Sequence, residues 1–323
     1  MRVHVLHHAR CFDGAASAAI FAAFYRQRID AAAKLSFFAK QHRQGDPYDA
    51  TDFDADEAAV VDFRYTKADT LVWYFDHHIS AFQLPGEREH FTADASGRKF
   101  HDPDAPSCTG FIAKVAREHF DFDASAHDEL LHWAELIDSA AFPTPQVAVE
   151  LAEPALQLMT FAEQNRRAEL VTPFIEDLIT TPIVKLASAS YVTQVLEPLL
   201  LRHRGDIELF RQRLQVQGDA MGYALLDQPP RAYNKFIPYF HFPNVAYLVG
   251  LSIGPDGTVK LSAGYNPWLP TRDRKFDIAA LCEKHGGGGH PYVGGITFAP
   301  DRAEEALRVQ AWMLSVFRGQ TPP

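Results

Sequence analysis

Over its first part the chain alternates short apolar runs with stretches of helical periodicity. Val3 to Leu6 reads as a first strand, and Ala15 to Arg26 as an Ala- and Phe-rich helix after the turn Cys11-Phe12-Asp13-Gly14. Ala59-Val60-Val61 is a second apolar run that closes on Asp62, and Asp69 to Phe75 predicts a third strand. Ser107 to His119 has helical character, with Ser107 placed after Pro106 to cap it. Helical residues from Ala126 lead into Glu135-Leu136-Ile137-Asp138. Strands alternating with helices predict an α/β domain around a mostly parallel sheet flanked by helices. Functional side chains are then expected where the strands end.

The pattern changes after about Pro143. Residues 147–217 are helix-rich, with breaks near Pro173, Pro182 and Pro198, and 194–217 predicts a long connecting helix kinked at Pro198. Val245 to Ile253, the turn Gly254-Pro255-Asp256-Gly257 and Thr258 to Gly264 predict a β-hairpin. Asp277 is a cap for a helix from Ile278 to His285; Gly286 to Gly289 and His290 follow, then a strand from Val293 to Phe298. Asp301 and Glu304 have capping-box spacing for a last helix, and the tail Thr321-Pro322-Pro323 is expected to fray. The expected division is a larger domain over 1–190, a helical linker over 191–217 and a smaller α/β domain over 218–323.

Composition narrows the classes. The 323 residues are 47% hydrophobic, ordinary for a globular chain with two domains, and carry a formal charge of −10. That balance argues against nonspecific capture of long nucleic acid, which needs a broad basic surface, but leaves room for a short anionic substrate held at cations. Cys11, Cys108 and Cys282 are an odd number without repeated spacing, which suits a reducing compartment. No apolar run is long enough to span a bilayer, and the N-terminus lacks a signal-peptide core. The expectation is a soluble cytoplasmic protein with no membrane partner.

The chemistry concentrates at Phe75-Asp76-His77-His78-Ile79, an Asp-His-His run at the end of a strand. Adjacent imidazoles are costly to bury without partners. His7, Cys11 and Asp13 lie on the first strand and its turn, while Asp62, His77 and Asp138 each end or follow an apolar segment. Parallel strands bring such ends to one edge, where carboxylates repel unless a cation neutralises them. Mixed imidazole and carboxylate donors suit Mn²⁺, Fe²⁺ or Zn²⁺ better than Ca²⁺. Two such ions clamp an in-line phosphoryl displacement.

Five segments, in order, carry a resemblance to the DHH-superfamily phosphoesterases, of RecJ-like or nanoRNase-like type, with their DHH-associated C-terminal domain. His7-His8-Ala9-Arg10-Cys11-Phe12-Asp13-Gly14 resembles the first motif, Val60-Val61-Asp62 the second, Asp76-His77-His78 the third, and Ile137-Asp138-Ser139 the fourth. His285-Gly286-Gly287-Gly288-Gly289-His290 resembles the glycine-rich signature of the second domain. The resemblance implies a two-metal site, with Mn²⁺ the expected ion and Fe²⁺ or Zn²⁺ as alternatives. It implies His7, Asp62 and Asp138 on one ion, and Asp13, Asp62, His77 and Asp138 on the other. It also implies that Asp76 orients an imidazole, that His78 meets the scissile phosphate or moves a proton, and that Gly287, Gly288, Gly289 and His290 bind substrate.

The implied activity is hydrolysis of short nucleotides: oligoribonucleotides, short DNA ends, dinucleotides or a 3′-phosphorylated adenosine nucleotide. Two departures qualify it. Cys11 stands where many members carry aspartate; it either ligates metal or packs under the turn, and strand alternation favours only one of His7 and His8 facing inward. No arginine precedes the glycine signature in Ser262-Ala263-Gly264-Tyr265-Asn266-Pro267-Trp268. Asn266 is the candidate to bond substrate instead, with Tyr265 or Trp268 as stacking or core residues and Arg272 and Arg274 as phosphate contacts or a solvated cluster. The alternative function is a nucleotide-binding regulatory module of the same fold without turnover. An inorganic pyrophosphatase is disfavoured by the glycine-rich signature. A homodimer stays open.

Overall fold

A computed structural model describes residues 1–43, 45–254 and 256–320. The chain divides into two compact units, one of 1–142 with 151–199, the other of 143–150 with the residues from 200 onward. Pro255 in the expected hairpin turn and the 321–323 tail lie outside the described residues.

The first unit is built on five parallel strands: β1 (Arg2–His8), β2 (Lys34–Lys40), β3 (Glu57–Val61), β4 (Leu71–Asp76) and β5 (Lys99–His101), in the order β2-β1-β3-β4-β5. The central strands are apolar on both faces, as a covered parallel sheet requires. Along β4, Trp73 packs on Phe21 and Phe24, and Phe75 also meets Phe21. Tyr74 points the other way, onto Tyr65 and Phe91. The helix Phe12–Arg28 is buried almost all round, which explains its lack of a polar face. It packs against the helices Cys108–Phe120, Asp128–Asp138 and Val171–Thr180. The spans expected for β1, β3, β4 and the helices Phe12–Arg28, Cys108–Phe120 and Asp128–Asp138 agree with the structure within a few residues. The strands β2 and β5 are absent from the sequence pattern: Lys34–Lys40 alternates weakly, and β5 has only 3 residues.

The second unit holds a six-stranded mixed sheet in the order β10-β11-β9-β8-β7-β6. Its strands are β6 (Gln215–Gln217), β7 (Ala220–Leu225), β8 (Tyr247–Ile253), β9 (Val259–Tyr265), β10 (Gly288–His290) and β11 (Val293–Phe298). The expected hairpin is β8–β9, paired antiparallel from Tyr247–Tyr265 to Ile253–Val259. Val249, Leu251, Leu261 and Ile296 form its core with Val309 and Met313 of the helix Ala303–Phe317. Asp277 caps the helix Ile278–Glu283 by accepting from the Ala280 amide.

Three expectations are corrected. The connecting helix runs Ser190–Arg213, with Pro198 inside it, and 215–217 form β6 instead of extending it. The last helix has no capping box: Arg302 is its N-cap residue, and its guanidinium pairs with Glu305. The four-glycine run is not an open loop, because Gly288–His290 pair antiparallel with Val293–Gly295. The glycines are needed for that close approach. A Cβ at Gly287 would lie 2.2 Å from the Gly295 carbonyl oxygen, and one at Gly289 2.2 Å from that of Val293.

Candidate metal centre

Every side chain of the centre comes from the end of a strand or helix in the first unit. Asp62 directly follows β3 and takes a left-handed backbone, with φ 54°, unusual for a non-glycine residue. Its amide is held by the Phe75 carbonyl of β4 at 2.9 Å. The side chain is only 1% exposed and meets three imidazoles: His77 Nε2 at 3.5 Å, His8 Nδ1 at 3.6 Å and His78 Nδ1 at 3.8 Å. These distances allow charge attraction but exceed a good hydrogen bond. Both Asp62 oxygens and His8 Nδ1 are therefore buried without a hydrogen-bond partner. Burial opposes ionisation of Asp62, yet the facing His77, His8 and His78 hold its pKa down to about 2.

His77 has the posture of a metal ligand. Its Nδ1 bonds the Ala105 carbonyl at 2.9 Å, which fixes the ring. Its Nε2 is left 3.4 Å from Asp138, 3.5 Å from Asp62 and 3.9 Å from Asp13. Burial works against a charged ring, but Asp62, the Ala105 carbonyl and Asp13 outweigh it and raise the pKa to about 10.

Asp13, in the first turn of the helix Phe12–Arg28, is tied to a second helix. Its Oδ2 accepts from the Cys108 amide at 2.7 Å, and its Oδ1 accepts from the Thr109 amide at 3.1 Å and the Thr109 hydroxyl at 2.6 Å. Ser107 caps that helix by accepting from the Gly110 amide. The free amides of the helix Cys108–Phe120 thus hold Asp13 rather than a phosphate. Burial, with Asp62 and Asp138 nearby, still pushes Asp13 well above the usual carboxylate range. Asp138, last residue of its helix and partly exposed, is raised by burial and by Asp62.

Asp76 is fully buried and accepts from the Tyr74 hydroxyl, the His77 and His78 amides and His78 Nδ1, the last at 2.7 Å. The imidazole it orients is that of His78. Burial lowers the basicity of His78, but Asp76 more than offsets this and raises it.

Three groups of donor atoms lie within 4.8 Å of one another: His8, Cys11 and Asp62; Asp62, His77 and His78; and Asp13, His77 and Asp138. Asp62 and His77 each belong to two groups, so the set is continuous. Cys11 thus stands among the donor atoms, and burial with Asp62 and Asp13 raises its thiol pKa well above the ordinary value. The imidazole grouped with it and Asp62 is that of His8, while His7, the expected ligand, lines a cleft together with Cys11. His7 alternates to the other face, is 3% exposed, and bonds the His8 carbonyl through Nδ1. Its Nε2 is buried without a partner, and burial lowers its pKa to about 4. With Arg10, Gln41 and Asn165 it lines a cleft of about 240 Å³.

The second unit holds the remaining candidates. Asn266 is fully buried, its amide donates to the Pro243 and Val245 carbonyls, and its Oδ1 accepts from the Trp268 amide. These bonds use both amide hydrogens, so Asn266 braces its own loop and is corrected from a substrate contact. Tyr265 is buried and donates to the Pro270 carbonyl. His290 is exposed and stacks with Tyr292, ring centres 6.0 Å apart, and Tyr292 is 54% exposed. Tyr292 and the anchoring role of Thr109 are what motif reading passes over; the spacing of Tyr292 from His290 is the one hint of the former.

No family model matches the chain, and no curated protein matches it in sequence. Solved structures do. A pGpG-specific phosphodiesterase, PggH of Vibrio cholerae, shares 17% identity at a TM-score of 0.69, over 99% of this chain and 100% of its own. A DHH domain described as a member of the S1p family of ribosomal proteins shares 16% at 0.55, over 96% and 85%. RecJ of Thermus thermophilus in complex with Mn²⁺ shares 14% at 0.54, over 100% of this chain and 53% of that one. The architecture is the DHH fold: a parallel five-stranded sheet bearing the Asp-His-His run, followed by a mixed-sheet domain. Among the described residues no helix is long and apolar enough to cross a membrane.

Proposed function

We propose that the protein is a divalent-metal-dependent phosphodiesterase that hydrolyses short nucleotides, with linear dinucleotides foremost. One observation carries the reading. Asp62 is 1% exposed, both its oxygens lack a hydrogen-bond donor, and Asp13 and Asp138 share the same few ångströms around His77. Buried carboxylates in that state call for a cation. The donors fit: carboxylate oxygens, an Nε2 already oriented by a carbonyl, and a thiol.

Asp13, Asp62, His77 and Asp138, with His8 and Cys11, would hold the ions. Bound there, divalent ions neutralise phosphoryl oxygens and acidify water. The chain's own residues do the rest. The helix Cys108–Phe120 holds Asp13, and the Ala105 carbonyl holds His77, so the donors are oriented in advance. Asp76 keeps a proton on His78 Nδ1, which leaves His78 Nε2 to contact a phosphate oxygen or give a proton to the departing one. His78 is the more exposed of the pair, at 35% against 11% for His77. In the second unit, the exposed His290–Tyr292 pair beside Gly288 offers a stacking face and donors for a terminal nucleotide.

The similarity to a dinucleotide-specific enzyme over nearly the whole of both chains supports this substrate class. The net charge of −10 favours short substrates over long ones. The test is a panel of pGpG, short RNA, short DNA and 3′-phosphoadenosine nucleotide with Mn²⁺-loaded protein, followed by mass spectrometry. Conversion of pGpG to mononucleotides, lost in Asp62→Ala, is expected. Binding without turnover in any divalent metal would instead favour the regulatory module.

A further inference from the structure

We propose that the two cation positions are unlike: His8, Cys11 and Asp62 form one that selects a thiophilic ion such as Zn²⁺, and Asp13, His77 and Asp138 form one that takes a harder ion such as Mn²⁺. The proposal rests on the metal-centre reading above and concerns what each position selects.

The first group is a built site rather than a stray cysteine. Its donor atoms lie within 4.8 Å of one another, and His8 Nδ1 is 3.6 Å from Asp62 Oδ2. That nitrogen and both Asp62 oxygens are buried with no hydrogen-bond partner. Arg10, immediately before Cys11, adopts φ 55°, so the chain turns through a costly conformation where it presents the sulfur.

The donor chemistry of the two groups differs. Sulfur, imidazole and carboxylate together are a zinc-type set, and a thiolate discriminates strongly against Mn²⁺. Two carboxylates with one imidazole carry no soft donor and suit Mn²⁺ or Mg²⁺. Asp13 already commits its oxygens to Cys108 and Thr109, which fixes its direction toward His77. On loading, a metal–sulfur bond forms at Cys11 and the thiol proton leaves to solvent. Three protein donors leave a tetrahedral position open, as catalytic zinc sites do.

The test uses Co²⁺ as the probe on the full-length, metal-stripped protein. A sulfur-to-cobalt charge-transfer band in the near-ultraviolet is expected, saturating at one ion per chain, abolished by Zn²⁺ and retained in equimolar Mn²⁺. Cys11→Ser and Cys11→Asp should lose the band, and Cys282→Ser, in the other unit, should keep it. With Mn²⁺ as the sole divalent ion, electron paramagnetic resonance should count one tightly held Mn²⁺ per wild-type chain and two per Cys11→Asp chain. If the variants do not fold, Cys108→Ser keeping the band assigns it to Cys11, and a wild-type protein that binds Co²⁺ without a band still overturns the proposal. Co²⁺ bound without a sulfur band, or a band that survives in Cys11→Ser, overturns the proposal. Dinucleotide hydrolysis without the band would sink this inference alone; the band without hydrolysis would sink only the assigned activity.

Discussion

Replacing Thr109 with valine tests whether the second helix really holds the centre. Thr109 is fully buried, and its hydroxyl donates to Asp13 Oδ1 at 2.6 Å while the Ser17 hydroxyl lies 3.1 Å away. Valine keeps the shape and removes the oxygen. The loss is one hydrogen bond to an acidic group, about 1.5–3 kcal/mol, and a buried Ser17 hydroxyl left without its partner, about 1–3 kcal/mol. The added methyl returns about 0.8 kcal/mol. A net destabilisation of roughly 2–5 kcal/mol follows for the metal-free protein. Asp13 keeps two amide donors but loses its shortest contact, so metal affinity should fall by about 10–100-fold. Urea unfolding in chelator and calorimetric Mn²⁺ titration read the two effects, and Thr109→Ser should restore most of each. A Thr109→Val protein with an unchanged urea midpoint and unchanged Mn²⁺ affinity would refute the reasoning.

Other consequences concern charge and backbone. In the metal-free protein His77 is raised to about 10, so a folded chain at neutral pH carries its proton. Loading the Asp13–His77–Asp138 position should then release the His77 proton, and loading the Cys11 position a thiol proton besides; affinity should climb with pH, read by calorimetry in buffers of different ionisation enthalpy. The same raised value stabilises the metal-free fold fully below the ordinary pKa of 6.5 and is lost as pH rises through about 10. Comparing urea midpoints of wild type and His77→Gln at the two ends should show that gap narrow. Asp76→Asn should leave metal binding in place yet cut dinucleotide turnover by about 10–100-fold, and it should move the basic limb of the rate profile to lower pH, since Asp76 is what raises His78. Gly287→Ala would set a Cβ against the Gly295 carbonyl; a loss of about 1–3 kcal/mol in thermal unfolding is expected, with Mn²⁺ affinity unchanged.

Much of the centre was legible because a parallel sheet delivers strand ends to one edge. Asp62, His77 and the Cys11–Asp13 turn each follow an apolar run, and that rule alone places them together. Asp138 was legible only as the end of a helical segment. What escaped the sequence was angular or long-range. The left-handed backbone at Asp62, where β3 ends, is one such feature, which no pattern of side chains records. The anchoring of Asp13 by Cys108 and Thr109 joins residues 95 and 96 positions apart. The glycine run read as a loop because glycine disfavours strands; here two glycine-rich segments need each other's lack of Cβ to pair as β10 and β11. Asn266 read as a donor because its type is right, yet burial commits it to its own loop.

On the function proposed above, the acidic, imidazole and thiol groups around Asp62 hold divalent cations. Equilibrium dialysis of the metal-stripped protein against Mn²⁺ and Zn²⁺, with the bound ions counted by mass spectrometry, tests it most directly. Two ions per wild-type chain are expected, with loss of tight binding in Asp62→Ala, whose circular dichroism remains native. A folded wild-type protein that retains no divalent ion, or an Asp62→Ala variant that retains both, would contradict it.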